Sequence, residues 1–212
     1  MTTPLVIIGC GGFGREVHDV VDAVNHIEPT WELLGYLDDK PDAANVKFVE
    51  SRGFRVLGGT DWPVGRNPDV QFVIGIGTGS VRRAIDQKLT SAGFGSATLV
   101  HPAATLGYDV RVGAGTVICA GVRVTTNISL GRHVHLNINA TVGHDCTLAD
   151  YVTVNPLVAI SGGVTIGSES MLGTNSAVLQ QLSIGDRSVV GAGSCVVRDV
   201  PDDTVVKGVP AK

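Results

Sequence analysis

Leucine, isoleucine or valine recurs at every sixth position from Leu106 to Val196, through Val112, Ile118, Val124, Leu130, Leu136, Val142, Leu148, Val154, Ile160, Ile166, Leu172, Val178, Ile184 and Val190. The next residue is commonly glycine, as at Gly107, Gly113, Gly131, Gly143, Gly167, Gly173, Gly185 and Gly191. Four positions after each aliphatic stands a small or β-branched residue, among them Val110, Thr116, Val122, Ala140, Cys146, Val164, Ser170 and Ser194. A helix repeats its buried face every 3.6 residues and a strand every two, so neither generates this period. A hexapeptide parallel β-helix does. With each aliphatic at i, positions i and i+4 point inward, and i+2 and i+3 turn the corner between strands. Three sides close a coil of about 18 residues, which stacks equivalent positions of successive coils at about the 4.8 Å strand spacing. Residues 106–201 hold 16 hexads, roughly 5.3 coils.

Before residue 100 the pattern changes. Leu5–Ile8 reads as a short strand, and Phe13, Val17, Val20, Val21 and Val24 recur at helical spacing, with Arg15, Glu16, Asp19 and Asp22 opposite. Leu33–Leu37 and Phe72–Ile76 predict further strands, and a helix carries Val81, Ala84, Ile85 and Leu89. Ala97–Val100 predicts a last strand leading into the hexads through His101-Pro102. Alternating strands and helices imply a small Rossmann-like parallel sheet over residues 1–98, followed by an all-β domain over 99–212 with a short C-terminal tail.

Gly9-x-Gly11-x-x-Gly14 between strand and helix fits the dinucleotide fingerprint, because glycines let the backbone approach a phosphate at a helix N-terminus. Asp38, at the end of the next predicted strand, is placed to accept hydrogen bonds from ribose hydroxyls. The literal reading is NAD(H). A broader one is any nucleotide diphosphate, and a third is a tight turn with no ligand. The hexad domain offers no hydride-transfer machinery.

Composition narrows the partners. A net charge of −4, a pI near 5.8 and no Lys/Arg run disfavour nucleic acid. Mean hydropathy is high at +0.25, yet no apolar stretch is long enough to cross a bilayer, so a membrane span is not expected. Cys10, Cys119, Cys146 and Cys195 lack CxxC spacing and read as reduced thiols of a cytoplasmic protein. Met1 runs directly into the first strand, which argues against a signal peptide.

Polar residues with no structural duty in the repeat are the candidates for chemistry. His144 and Asp145 fall at i+2 and i+3, the corner, where consecutive side chains both project outward. An imidazole takes a proton near neutral pH, and an adjacent carboxylate orients it. One coil on is Gly162, whose bare backbone leaves space for a reacting group and an N–H to steady an oxyanion. His133, also at a corner, and His135, at i+5 on an outer face, are competitors as solvated surface residues or as a His-x-His metal pair, though no carboxylate accompanies them; no metal is expected.

VIIGCGGFGREVHDVV, YLDDK, FVIGIGTGSVRRAI, ATVGHDCTLADYVTVNP, ISGGVTIG and the closing GVPAK together resemble the sugar acyltransferases typified by sialic acid O-acetyltransferases and bacterial nucleotide-linked 4-aminosugar N-acetyltransferases. The resemblance implies a left-handed β-helix, a homotrimer, acetyl-CoA between neighbouring prisms, and a nucleotide sugar on the N-terminal domain. It implies acetylation of the amine of a UDP- or dTDP-linked 4-amino-4,6-dideoxy sugar in glycan biosynthesis. The alternatives are O-acetylation of sialic acid or a related sugar, or a non-catalytic nucleotide- or NAD-binding trimer. By motif, His144 is the general base, Asp145 its partner and Gly162 the oxyanion donor and a contact to acetyl-CoA. Asn137 matches an active-site asparagine, Thr174 and Ala192 match CoA contacts, and Gly11, Gly12, Asp38, Asp39 and Lys40 match the nucleotide-sugar loop. Relatives often carry a second active-site histidine further along, where this chain has Thr153. His144 and Gly162 share one corner column and Thr174 and Ala192 another, so an elongated CoA touching both is expected between two subunits.

Overall fold

The computed structural model describes residues 2–62 and 69–212, in two compact units. One comprises Met1–Gly77 with Val81–Leu99, and the other Thr78–Ser80 with Val100–Lys212. Met1, and with it the expectation about a signal peptide, lies outside the described residues, as do residues 63–68 of the N-terminal domain.

The first unit is a parallel sheet of β1 (Thr3–Ile8), β2 (Trp31–Leu37), β3 (Val56–Gly58), β4 (Gln71–Ile74) and β5 (Gly95–Ser96), in the order β3-β2-β1-β4-β5. Helices α1 (Gly12–Ile27), α2 (Ala43–Ser51) and α3 (Gly79–Ser91) alternate with the strands. The loop packs closely where Gly9, Gly14 and Gly75 carry no side chain: a Cβ on Gly14 would meet Gly9 O, and one on Gly75 would meet Gly14 Cα at 2.5 Å. α2 and β3 lack a strong pattern and are not anticipated, although Asp42 caps α2 by accepting from Ala44 N–H at 2.9 Å.

Two expectations need correction. The sheet ends at Gly95–Ser96, not Ala97–Val100; Leu99–Val100 lies one coil before Val117–Ile118 and joins the prism ladder. On α3, Val81 is 42% exposed and Ala84 is exposed, while Arg82, Asp86 and Leu89 are buried. The polar pair is buried because it satisfies neighbouring groups. Arg82 Nη1 donates to Ile76 O and Gly77 O at 2.9 and 2.8 Å, and Asp86 accepts from Thr90 Oγ1 at 2.9 Å.

The second unit is a left-handed parallel β-helix with faces of six, five and seven strands. Register holds from coil to coil, as in Val124↔Val142, Val142↔Ile160 and Ile160↔Val178. The aliphatic ladder from Ile118 to Val196 fills the interior. Every sixth residue from Asp109 to Gly193, the i+3 position of each hexad, has a positive φ. This left-handed conformation costs roughly 1–2 kcal/mol for a residue with a Cβ. Laddering between coils offsets it: from Asn127 onward each corner N–H reaches a carbonyl of the coil before, as Asp145 to Thr126 at 3.0 Å and Gly163 to His144 at 2.8 Å.

Candidate active site

The left-handed corner brings His144 and Asp145 together. His144 Nδ1 lies 2.7 Å from Asp145 Oδ2, and both side chains point outward, 66% and 56% exposed. Asp145 Oδ1 accepts from Asn127 Nδ2 at 3.0 Å, one coil below. The hydrogen bonds from His144 and then Asn127 hold the Asp145 carboxyl below the usual carboxylate range. With Nδ1–H donating to the Asp145 carboxylate, Nε2 carries the free lone pair.

Gly162 stands directly over this ring. A Cβ there would fall on His144 Nε2 and lie 2.5 Å from Cε1. The space above the base, expected to receive a reacting group, is filled by the imidazole itself.

The three corners differ in how they treat the N–H at i+2. On one, aspartates close it: Arg132 N–H donates to Asp150 at 2.8 Å, Ser168 N–H to Asp186 at 2.7 Å, and Asp186 N–H to Asp202 at 2.9 Å. Glycines at 131, 167 and 185 make room, since a Cβ on Gly131 would collide with Asp150 Oδ1. On the other two, the N–H groups of Gly162, Thr174 and Ala192 take part in no hydrogen bond among the described residues. Thr174 and Ala192 stack as expected, Thr174 O accepting from Gly193 N–H at 2.9 Å.

Asn137 belongs to the Thr174 corner rather than to that of His144, so one chain does not bring it to the base. It is buried; its Nδ2 lies 3.4 Å from Asn155 Oδ1, and its own Oδ1 has no partner among the described residues. His133 and His135 are buried, not solvated. The His133 ring lies over Gly115 and stacks on Tyr151 at 5.8 Å, while His135 pairs in register with Val117 and Thr153, an outward column that is also buried. Among the described residues no cluster suits a metal ion.

In the first unit, a cleft of about 200 Å³ is bordered by Gly9, Asp38, Asp39, Lys40, Thr60 and Ile76. A Cβ on Gly11 or Gly12 would meet nothing within 4 Å, so that part of the loop faces open space. Asp38 is partly committed: Oδ2 accepts from Cys10 N–H and Sγ at 3.0 and 3.2 Å, and Oδ1 from Lys40 N–H at 2.9 Å. Burial pushes its carboxyl up, but these bonds outweigh it and hold it low. Burial and the Asp38 carboxylate push the Cys10 thiol to about 11. Asp39 accepts from Thr60 N–H at 2.7 Å, and Lys40 is exposed. Asn127, Thr60 and the capping aspartates are absent from the sequence reading. For Asn127 the signal was available, since it stands one coil before Asp145.

Residues 4–89 match the PglD N-terminal domain. The chain is 28% identical over 188 residues to GDP-perosamine N-acetyltransferase of Escherichia coli O157:H7, covering 88% of this chain and 82% of that one. The acetyltransferase domain of PglB from Neisseria gonorrhoeae superposes with a TM-score of 0.88 at 32% identity, over 100% of this chain and 99% of that one. PerB from Caulobacter crescentus, solved with CoA and GDP-perosamine, superposes with a TM-score of 0.88 at 31% identity, over 99% and 96%.

Proposed function

Because this chain belongs to the hexapeptide-repeat family of nucleotide-linked aminosugar N-acetyltransferases, we propose that it moves the acetyl group of acetyl-CoA to the 4-amine of a nucleotide-linked 4-amino-4,6-dideoxy sugar. The observation that carries this reading is the His144–Asp145 pair beneath Gly162, on a corner whose N–H is open. His144 Nε2 accepts the amine proton as nitrogen attacks the thioester carbon. The N–C bond forms, the C–S bond breaks, and CoA leaves as thiolate and takes up a proton. Gly162 N–H steadies the oxyanion. Thr174 and Ala192 offer backbone groups to CoA, and Asn137 belongs with the residues that position the acceptor. Gly11, Gly12, Asp38, Asp39 and Lys40 hold the nucleotide sugar; Lys40 supplies the positive charge and the open loop receives phosphate.

The working unit is a homotrimer with sites shared between subunits. Two features support this. Asn137 and His144 stand on different corners of one chain, and exposed aliphatics flank both corners: Leu179 and Val197 on the His144 side, two and three coils further up, and Ile138 and Leu157 beside Asn137. No described helix is long and apolar enough to cross a membrane, and we place the enzyme in the cytoplasm, where acetyl-CoA is made.

The test is CoA release with acetyl-CoA and a panel of 4-amino-4,6-dideoxy sugars carried on UDP, dTDP or GDP. UDP and dTDP follow from the sequence resemblance and GDP from two of the relatives. Turnover of one aminosugar, with none of its 4-hydroxy counterpart, is the expected result. Turnover of free sialic acid alone, or thermal stabilisation by NADH alone without CoA release, would overturn it.

A further inference from the structure

The column beneath the base is a ladder of polar corner residues: Asp109, Asn127 and Asp145, one coil apart and all left-handed, with φ of 49°, 56° and 60°. The middle rung is an amide between two carboxylates. Its Nδ2 donates to Asp145 Oδ1 at 3.0 Å, and its backbone N–H is anchored on Tyr108 O at 2.9 Å. Asp109 turns away to Arg111, 3.4 Å from its carboxylate. Asp145 therefore meets a neutral donor from below and the imidazole from the side, and each oxygen has one defined partner.

We propose that Asn127 is a positioning residue for the acetyl transfer, fixing the Asp145 carboxylate and through it the tautomer and tilt of the His144 ring; this rests on the reading of His144 as the base. A carboxylate with one oxygen free can rotate about its Cβ–Cγ bond and release the ring. With Asn127 holding Oδ1, Oδ2 is left aimed at Nδ1, and Nε2 is left to act. The charged or titratable groups around Asp145 are few. His144 lies beside it, Asp109 and Arg111 lie further down the column, and the Cys146 thiol faces inward to Ser161 O at 3.1 Å. Gly163 and Gln181, above in the column, carry no charge.

Asn127→Gly and Asn127→Asp test this, because glycine and aspartate both accept a positive φ and neither strains the corner. Each is compared with wild type and His144→Ala by kcat, KM for acetyl-CoA, the pH profile of kcat/KM, and melting temperature. Asn127→Gly is expected to lower kcat about tenfold with KM for acetyl-CoA unchanged. Asn127→Asp places a second negative charge against the dyad and favours the protonated ring. Its acid limb therefore moves to higher pH, by roughly half a unit to one unit. If both variants keep kcat within about twofold and the limb does not move while His144→Ala is inactive, Asn127 has no such role, though the base does. Loss of kcat in proportion to melting temperature, with the limb unmoved, would make Asn127 merely structural and equally overturn the proposal. Full turnover by His144→Ala would remove the base, and Asn127 with it.

Discussion

The imidazole of His144 occupies the place that a side chain on residue 162 would need, with Cε1 only 2.5 Å from where a Cβ would sit and Nε2 closer still. Gly162 is outside the left-handed region, so alanine meets no backbone objection there. Gly162→Ala is expected to push the ring aside, lowering kcat about a hundredfold while the melting temperature changes little. Steady-state kinetics alongside thermal melts check this; unchanged kcat would mean the ring position is unimportant.

His144→Ala removes the base itself. The side chain is 66% exposed, so the fold is expected to survive while kcat falls about 10²–10⁴-fold. Circular dichroism and CoA-release assays on the same preparation separate the two effects.

The aspartate-capped corner is predicted to matter for stability alone. Asp150→Ala leaves the Arg132 N–H without its acceptor, at a cost of about 1 kcal/mol. Denaturant melts are expected to register that loss with kcat unaltered. A kinetic defect as large as that of Gly162→Ala would mean that this corner also handles substrate.

Acid should loosen the glycine loop. The folded Asp38 carboxyl is held low, so its contribution is complete above the ordinary aspartate pKa of about 3.9 and is lost as pH falls through the lower folded value. Asp38→Asn removes that dependence. Its melting temperature is expected to fall less steeply than wild type below about pH 4, as measured by thermal melts across an acid series.

Leu179 is 41% exposed on the column beside the His144 corner. If that surface is covered by another copy, Leu179→Glu buries a charge and breaks the assembly. Light scattering is expected to give a trimer for wild type and a smaller species, with little activity, for the variant.

The prism was legible because its packing leaves little choice. An aliphatic at i admits one inward direction, and repetition from coil to coil fixes which side chains stack; His144 under Gly162 and Thr174 under Ala192 follow from counting alone. The left-handed corners carry a weaker signal. Asp and Asn are natural there, but Tyr151, Leu157 and Glu169 adopt the same φ, held by the ladder rather than by residue type. Burial of His135 was illegible, because position i+5 faces outward from the prism and only tertiary packing covers it. The buried face of α3 was misread for a related reason. An arginine that finds two carbonyls, as Arg82 does, goes inside while Val81 stays out.

The constant register between coils also limits how this molecule can change length. Removing a whole circuit above the site would lower the roof by one storey and leave every vertical neighbour in place. Removing a single hexad between His144 and Gly162 would carry everything downstream round to the next edge of the prism, and the residue then arriving over the imidazole would be the bulkier Ser168. Length changes that keep the site intact are thus confined to full circuits or to loops that leave the column and return to it.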